Sequence, residues 1–269
     1  IKQDNNNDLL RDLRGVLPAQ VTAQFFYDND IEVDSWALFA HGQWQLNEYW
    51  RVLGGLRYSD ENLEYRSDAR VNVPTEQALE LGVTMPFYSV DGQDTDDAVS
   101  SSLALNYTPN NDTLLYYRYG DGYKSGGYNG GYLLSEEQAQ NANYGPEQLI
   151  AHEVGAKLAL TSWHLNVEAA AFYYQYDDQQ VFMNQPSEDP QQPPLQLLEN
   201  VASSDISGAE ISLTYQPSQA LDTHLAIGYI PHAKFDEYID PLGNTLTNNQ
   251  LPFTSKWNVS GALRYLFNL

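Results

Sequence analysis

The chain has 269 residues, a formal net charge of −23 and no cysteine. The charge argues against a nucleic-acid partner, because phosphate binding needs clustered Lys and Arg, and the missing cysteine excludes a disulfide framework and thiol chemistry. Hydrophobic residues make up 42% of the sequence, yet no run approaches the ~18 apolar residues of a membrane-spanning helix. A helical membrane protein is therefore excluded, and the composition argues against an ordinary soluble core.

In chain order, ten segments with alternating side chains are predicted as strands. They cover 19–28, 34–46, 50–66, 95–107, 112–124, 147–160, 163–183, 195–216, 221–235 and 255–268. Each has the ~9 to 11 residues that a tilted membrane-spanning strand needs. The links alternate between long ones, at 29–33, 67–94, 125–145, 184–194 and 236–254, and short ones, at 47–49, 108–111, 161–162 and 217–220. Short turns on one side and long loops on the other are typical of an outer-membrane β-barrel.

The alternation sorts apolar and polar side chains onto opposite faces of the predicted strands. In 221–229, for example, Leu225 and Ile227 share one face and His224 lies on the other. A charge that faces lipid at the bilayer midplane costs roughly 2 to 4 kcal/mol, so we assign the polar face to the lumen. Asp205 breaks the pattern, and we expect either a bulge at 207–208 that resets the face or a position above the bilayer. The charged residues assigned to the lumen are Arg57, Arg118, Glu153, Lys157, Glu168, Glu210 and Arg264.

One turn and one set of aromatic residues give further expectations. A two-residue turn at Thr161-Ser162 pairs Leu160 with Trp163, and in the same register Lys157 lies opposite Asn166. The tryptophans lie near the ends of predicted strands, where indole rings sit at the headgroup level of a membrane. These tryptophans are Trp36, Trp44, Trp50, Trp163 and Trp257.

Six stretches of the sequence resemble the barrel of TonB-dependent outer-membrane receptors, in the order in which that family has them. The most recognisable is LLYYRYGDGYKSGGYNG at 114–130, where glycines at 126–127 let the strand end and the chain turn away. The others are DSWALFAHGQWQL (34–46), RVLGGLRYSDENLEY (51–65), YGPEQLIAHEVGAKLAL (144–160), ENVASSDISGAEISLTYQP (199–217) and NQLPFTSKWNVSGALRY (249–265).

The resemblance implies an all-β, antiparallel transmembrane barrel. Receptors of this family have 22 strands after an N-terminal plug domain that carries the TonB box. The sequence shows about ten strands and neither plug nor box. We therefore expect residues 1–269 to be a partial barrel domain of a longer outer-membrane receptor.

The resemblance also implies a function and partners. The expected function is TonB-driven uptake of a scarce ligand such as a ferric siderophore. The expected partners are the plug domain of the same receptor, the TonB complex through the missing N-terminal part, outer-membrane lipid and the ligand. Candidate ligand contacts in the lumen and at the rim are Arg118, Tyr123, Lys124, Tyr128 and Asn129.

Two other functions stay open at this point: a self-contained ten-stranded pore or surface enzyme, and a secreted acidic glycan-binding β-protein. The sequence has no nucleophile elbow, phosphate loop or Cys/His metal set. The acids between Asp91 and Asp97 lack the glycine placement and the closing glutamate of an EF-hand loop. We therefore predict no catalytic residue, no metal site and no cofactor.

Overall fold

The computed structural model describes residues 2–12, 22–72, 88–131, 133, 135–185, 195–239 and 244–267. Nearly all of them lie in antiparallel strands. Among these residues, no helix is both long and apolar enough to cross a membrane. Within the described part of the chain, one short helix, α1 (Glu136–Gln140), and one 3-10 turn (Thr161–Trp163) interrupt the strands. The strands are β1 (Lys2–Asp12), β2 (Thr22–Gln45), β3 (Trp50–Asn72), β4 (Tyr88–Asn110), β5 (Thr113–Lys124), β6 (Gly127–Tyr128), β7 (Asn143–Tyr144), β8 (Glu147–Leu160), β9 (Leu165–Gln185), β10 (Leu195–Ser218), β11 (Leu221–Ile239), β12 (Thr245–Leu246) and β13 (Trp257–Tyr265).

The long strands form one sheet in sequence order. Its order is β1-β2-β3-β4-β5-β8-β9-β10-β11, and both β12 and β13 pair with β11. The short strands β6 and β7 pair only with each other within the described residues. Within that part of the chain β1 and β13 do not pair, so the described wall is open. An antiparallel meander of this kind confirms the predicted fold class, a segment of a transmembrane β-barrel.

Several strands run farther than the sequence predicted. The predicted link 29–33 is wrong, because β2 continues through it and joins the predicted segments 19–28 and 34–46 into one strand. The predicted link 67–94 is too long, because β3 reaches Asn72 and β4 begins at Tyr88. Acidic residues there were taken for loop residues, but a strand that rises above a membrane can solvate them on one face. The predicted positions 19–21, 73–87, 186–194, 240–243 and 268 lie outside the described residues.

The turn between β8 and β9 sets a register that differs from the predicted one. Thr161–Trp163 form a 3-10 turn and His164 is left-handed, with φ 49°. Leu160 therefore pairs with Leu165, and the predicted pairing with Trp163 is wrong by two residues. A slip of two residues keeps every side chain on its face. The same slip replaces the predicted Asn166 opposite Lys157 with Glu168, whose carboxylate lies 2.7 Å from the Lys157 ammonium.

In the part of the wall that crosses the bilayer, the two faces of the sheet differ in polarity. Apolar side chains project outward and are highly exposed, with Leu38 at 71% and Val99 at 64%. Strand register places all seven charged residues assigned to the lumen on the inward face. The outward face therefore fits lipid, and the inward face fits a polar lumen. Four of the five tryptophans are exposed, consistent with an aromatic girdle: Trp36, Trp44, Trp163 and Trp257.

Asp205 keeps its outward orientation. The pairing of β10 with β9 is unbroken from Ser204 to Tyr215, and the shift between Ser207 and Ala209 occurs only against β11. The expected reset of the face is therefore wrong. Asp205 lies 13 residues before the end of β10 at Ser218. With a rise of ~3.3 Å per residue and a strand tilt of ~40°, this is a height of roughly 33 Å above the level of Ser218. Since the apolar band of such a barrel is ~25 Å tall, Asp205 lies above it. Its carboxylate accepts a hydrogen bond of 2.7 Å from the Tyr173 hydroxyl.

Candidate functional site

The lumen wall at mid-height combines charged, aromatic and small residues. Arg118 on β5 lies directly opposite Glu153 on β8. Together with Tyr174 they line a cavity of about 290 Å³. The ion pairs formed among the described residues do not include Arg118. Arg118 therefore presents to the lumen a guanidinium without an ion pair among the described residues, and this group can bind a carboxylate or another anionic oxygen.

Lys124 and Tyr123 end strand β5 on opposite faces. Lys124 is exposed on the lumen face and lies opposite Glu147. The Glu147 carboxylate accepts the backbone N–H of Gln180 at 2.8 Å, and no ion pair of Lys124 occurs in the described part of the chain. Tyr123 alternates with Lys124 and therefore lies on the outward face. The structure thus brings Lys124 to the inner rim and leaves Tyr123 outside the lumen.

The described residues between β5 and β8, which are 125–131, 133 and 135–146, are here called the mouth segment, and they fold onto the inward face of the wall. The ring of Tyr128 stacks on that of Tyr65 from β3, with centroids 4.4 Å apart and planes at 6°. The Tyr65 hydroxyl donates to the carbonyl of Asn129 at 3.3 Å. Gly92 on β4 provides the room, because a Cβ there would lie 2.8 Å from the Tyr128 ring. Tyr128 is thus held against the wall.

The side chain of Asn129 is fully engaged within the protein. Its amide nitrogen donates to the carbonyls of Ala142 at 3.1 Å and Leu198 at 2.8 Å. Its amide oxygen accepts from the backbone N–H of Leu198 at 2.6 Å. The first partner lies in the mouth segment and the second in β10. Asn129 therefore bonds the mouth segment to a strand 69 residues away in sequence.

Two side chains from β9 and β10 hold the base of the mouth segment. The Gln180 amide donates to the carbonyls of Ser125 at 2.9 Å and Gly145 at 3.0 Å. Asn200 accepts the N–H of Gly145 at 2.6 Å through its side-chain oxygen. These bonds satisfy backbone groups that a chain reversal would otherwise leave unpaired.

Gly126 is required where the mouth segment leaves β5. A Cβ at this position would lie 2.4 Å from the carbonyl oxygen of Tyr144. The N–H of Gly126 donates to the carboxylate of Asp96 at 2.6 Å. Gly126 therefore serves close backbone packing, in addition to the change of direction that the sequence suggested for the glycines at 126–127.

Apolar side chains bury the mouth segment against the top of the wall. Leu133, Ala139 and Ala142 are at most 1% exposed. They pack with Tyr88 and Val90 of β4 in one cluster, which also includes Tyr27 and Ala69. The Tyr88 hydroxyl donates to the carbonyl of Leu133 at 3.1 Å. Burial raises the pKa of Tyr88 to about 12, since the ionised phenolate is poorly solvated there.

The acids between Asp91 and Asp97 do not converge. Strand alternation places Asp94 and Asp96 inward and Asp91 and Asp97 outward. Asp91 lies opposite Arg66 and Asp97 opposite Asp60. Among the residues that the structure describes, no group of three or more His, Asp and Glu side chains is arranged to hold a metal ion.

Sequence reasoning missed most of the residues that build this site. Tyr65 and Asn200 lie in two of the quoted stretches, 51–65 and 199–217, which was the only signal they carried. Gln180 and Asp96 gave none, because their partners are backbone groups far away in sequence.

Comparisons with known proteins agree on the fold. A family model described as "TonB dependent receptor-like, beta-barrel" matches residues 3–269. The ferric yersiniabactin uptake receptor FyuA from Yersinia pestis is similar with a TM-score of 0.68 and 18% identity, over 100% of this chain and 36% of that one. The siderophore receptor PiuA from Acinetobacter baumannii is similar with a TM-score of 0.59 and 17% identity, over 91% of this chain and 32% of that one. The ferric-catecholate import receptor Fiu from E. coli K12 is similar with a TM-score of 0.57 and 16% identity, over 91% of this chain and 33% of that one. The chain spans about a third of the length of each.

Proposed function

Because the chain belongs to the TonB-dependent receptor-like β-barrel family, we propose that it supplies part of the wall of a receptor that imports a scarce ligand by active transport. Membership confirms the resemblance seen in the six sequence stretches, and the protein is an outer-membrane protein. The observation that carries the proposal is the division of the wall into an exposed apolar face and a lumen face with charges that form no ion pair among the described residues. A wall of this kind encloses a polar passage.

The proposed ligand class is a ferric siderophore. Support comes from what the similar structures are named for, namely ferric yersiniabactin uptake, siderophore reception and ferric-catecholate import. A shared fold does not carry the ligand with it. The ligand class therefore rests on an uptake assay that spans several siderophore chemistries.

The proposed partners are a plug domain inside the barrel and the TonB complex, as the family implies. Arg118 and Lys124 are the proposed contacts on this wall, because both face the lumen as cations without an ion pair among the described residues. They fit either an acidic group of the plug or an anionic oxygen of the ligand. Ligand contact by Tyr123, Tyr128 and Asn129 stays a prediction. Since the family is one of transporters and receptors, we propose no catalytic residue and no cofactor.

Uptake by cells tests the proposal. A strain that lacks the intact gene is compared with a complemented strain for uptake of ⁵⁵Fe carried by hydroxamate, catecholate and mixed siderophores. We expect at least one class to enter about tenfold faster in the complemented strain, and a protonophore to abolish the difference because it removes the transmembrane potential that energises active transport. An uptake rate that is the same with and without the protonophore would indicate a passive pore. No uptake of any class, with the protein present in the outer membrane, would contradict the ligand proposal.

Arg118 has a matched control in Arg264. Both arginines face the lumen, but Arg264 is ion-paired with Asp222 at 3.0 Å and Arg118 has no ion pair among the described residues. We expect Arg118→Gln to lower uptake of the identified ferric siderophore by about tenfold, the value of one charge-assisted contact. Arg264→Gln should leave uptake within about twofold. Equal effects of both substitutions would contradict the role of Arg118.

A further inference from the structure

Two of the partners of Asn129, Tyr65 and Leu198, lie far apart along the sheet. Its carbonyl accepts from Tyr65 on β3, and its side chain bonds to Leu198 on β10. These strands are five positions apart in the sheet order, which is about 24 Å along a sheet with ~4.8 Å between strands. One residue contacts both, so the top of the wall curls inward around the mouth segment.

The mouth segment is attached on both sides of this curl. On one side Gly126 bonds to Asp96 of β4 and Tyr128 stacks on Tyr65 of β3. On the other side, Asn200 of β10 bonds to Gly145. A segment that moves as a gate has few buried apolar contacts and hydrogen bonds exposed to solvent. The mouth segment has the opposite properties, since Ala139 is 0% exposed and Leu133 is 1% exposed.

We propose that the mouth segment is a fixed strut across the inside of the extracellular mouth, with Asn129 as the residue that latches it to β10. It stays docked while the receptor works. Tyr128 and Asn129 then serve to hold the shape of the mouth. This inference depends on the geometry of the mouth alone, so it can hold or fail whatever ligand the receptor takes.

Thiol accessibility at two neighbouring positions tests the strut. In α1, Ala139 is buried and Gln140 is exposed. Ala139→Cys and Gln140→Cys are compared in the full-length protein on intact cells, with a membrane-impermeant maleimide, before and after addition of a protonophore. We expect Ala139→Cys to react about a hundredfold more slowly in both conditions. Reaction within about tenfold of the Gln140→Cys rate in energised cells would overturn the proposal.

The latch is tested in the Ala139→Cys background. Asn129→Ala removes both bonds to Leu198 as well as the side-chain bond to Ala142, and we expect the thiol to react about tenfold faster. Asn141→Ala is the matched control, because among the described residues the Asn141 side chain bonds to the carbonyl of Glu137 within the mouth segment and not to the wall. An unchanged rate in Asn129→Ala would overturn the assignment of Asn129 as the latch.

A disulfide provides a second measurement that does not depend on labelling. A Cβ built on Gly130 lies 3.8 Å from the Cβ of Asn29 on β2, a separation that suits a disulfide. The pair Gly228 and Asn258, between β11 and β13, has the same 3.8 Å separation and lies within the wall itself. This chain contains no native cysteine to compete.

Oxidation in cells then compares a strut pair with a wall pair. We expect Asn29→Cys/Gly130→Cys to cross-link as completely as Gly228→Cys/Asn258→Cys, with and without the protonophore. Cross-linking of the strut pair that is about tenfold slower in energised cells, with the wall pair unchanged, would overturn the proposal. If the strut pair fails to form in either condition while the wall pair forms, the mouth segment does not hold the docked position and the proposal fails.

Discussion

The lower and upper halves of the same strands bury opposite faces. On β3, Leu56 projects outward in the lower half and is 62% exposed, whereas Leu63 and Tyr65 project inward in the upper half and are at most 7% exposed. On β4 the order along the chain is reversed: Val90 is buried inward near the top and Val99 is exposed outward below. The change of face within one strand marks the level at which lipid ends.

This difference shows that apolar residues in an alternating strand can face lipid in one half of the strand and a protein interior in the other half. Below the boundary, apolar side chains face outward because the hydrocarbon is outside. Above it they face inward, where two buried clusters provide an apolar environment: one at the mouth segment and one around Phe235 and Leu251. Outward positions in the upper half are accordingly acidic, as at Asp91 and Glu64. The largest energetic differences between variants should therefore depend on which half a residue occupies.

Removal of a buried side chain from the upper half should have the largest effect. Leu133→Ala takes a side chain that is 1% exposed out of the cluster around Tyr88, and we expect a local loss of about 2 to 5 kcal/mol. Hydrogen exchange of 126–142 should accelerate accordingly, while exchange of the lower strands stays unchanged. Leu38→Ala, on the lipid face, is the control and should leave the mouth segment protected.

A charge on the outward face of the lower half should come next. Ile211 and Ser212 are neighbours on β10 that face lipid and lumen, respectively. We expect Ile211→Lys to destabilise the protein by about 2 to 4 kcal/mol. Ser212→Lys, which lies opposite Glu168, should cost little. Urea unfolding of the full-length protein in lipid vesicles measures both, and equal effects would contradict the assignment of the faces.

Alkaline pH should weaken the mouth segment by a smaller amount. The pKa of Tyr88 is raised to about 12 in the folded protein, so an unfolded tyrosine ionises first, near pH 10. Stability contributed by neutral Tyr88 is complete below pH 10 and is lost as pH rises toward 12, by roughly 2 kcal/mol. The difference between the 295 nm titration curves of the unmodified protein and of Tyr88→Phe should correspond to one tyrosine with a midpoint near 12. A midpoint near 10 for that tyrosine would contradict its burial.

The smallest expected effect concerns the register of β8 and β9. Lys157 and Glu168 form an ion pair whose side chains are about half exposed, so a double-mutant cycle should give a coupling of about 0.2 to 1 kcal/mol. Lys157 paired with Asn166 in the same cycle should give no coupling. Coupling of Lys157 to Asn166 and not to Glu168 would support the register that the sequence predicted and contradict the observed one.

The sequence predicted the lower half well and the upper half poorly. Lipid acts on every outward residue, so local alternation around Leu225 or Val259 was sufficient to identify the strands and their faces. In the upper half the decisive contacts join residues far apart, such as Asn129 and Leu198. No local pattern encodes such a contact. Acids at 29–33 were assigned to a loop because composition alone does not distinguish a solvated strand from a loop.

The turn at Thr161–Trp163 has a consequence for how the hairpin of β8 and β9 assembles. A hairpin slipped by two residues keeps both faces correct, so hydrophobic sorting does not reject it. The left-handed His164 and the pair of Lys157 with Glu168 are what distinguish the native pairing from this competitor. These few residues at the periplasmic end therefore select the native register during folding. Their substitution should make refolding slow and heterogeneous, even where the stability of the folded wall is barely reduced.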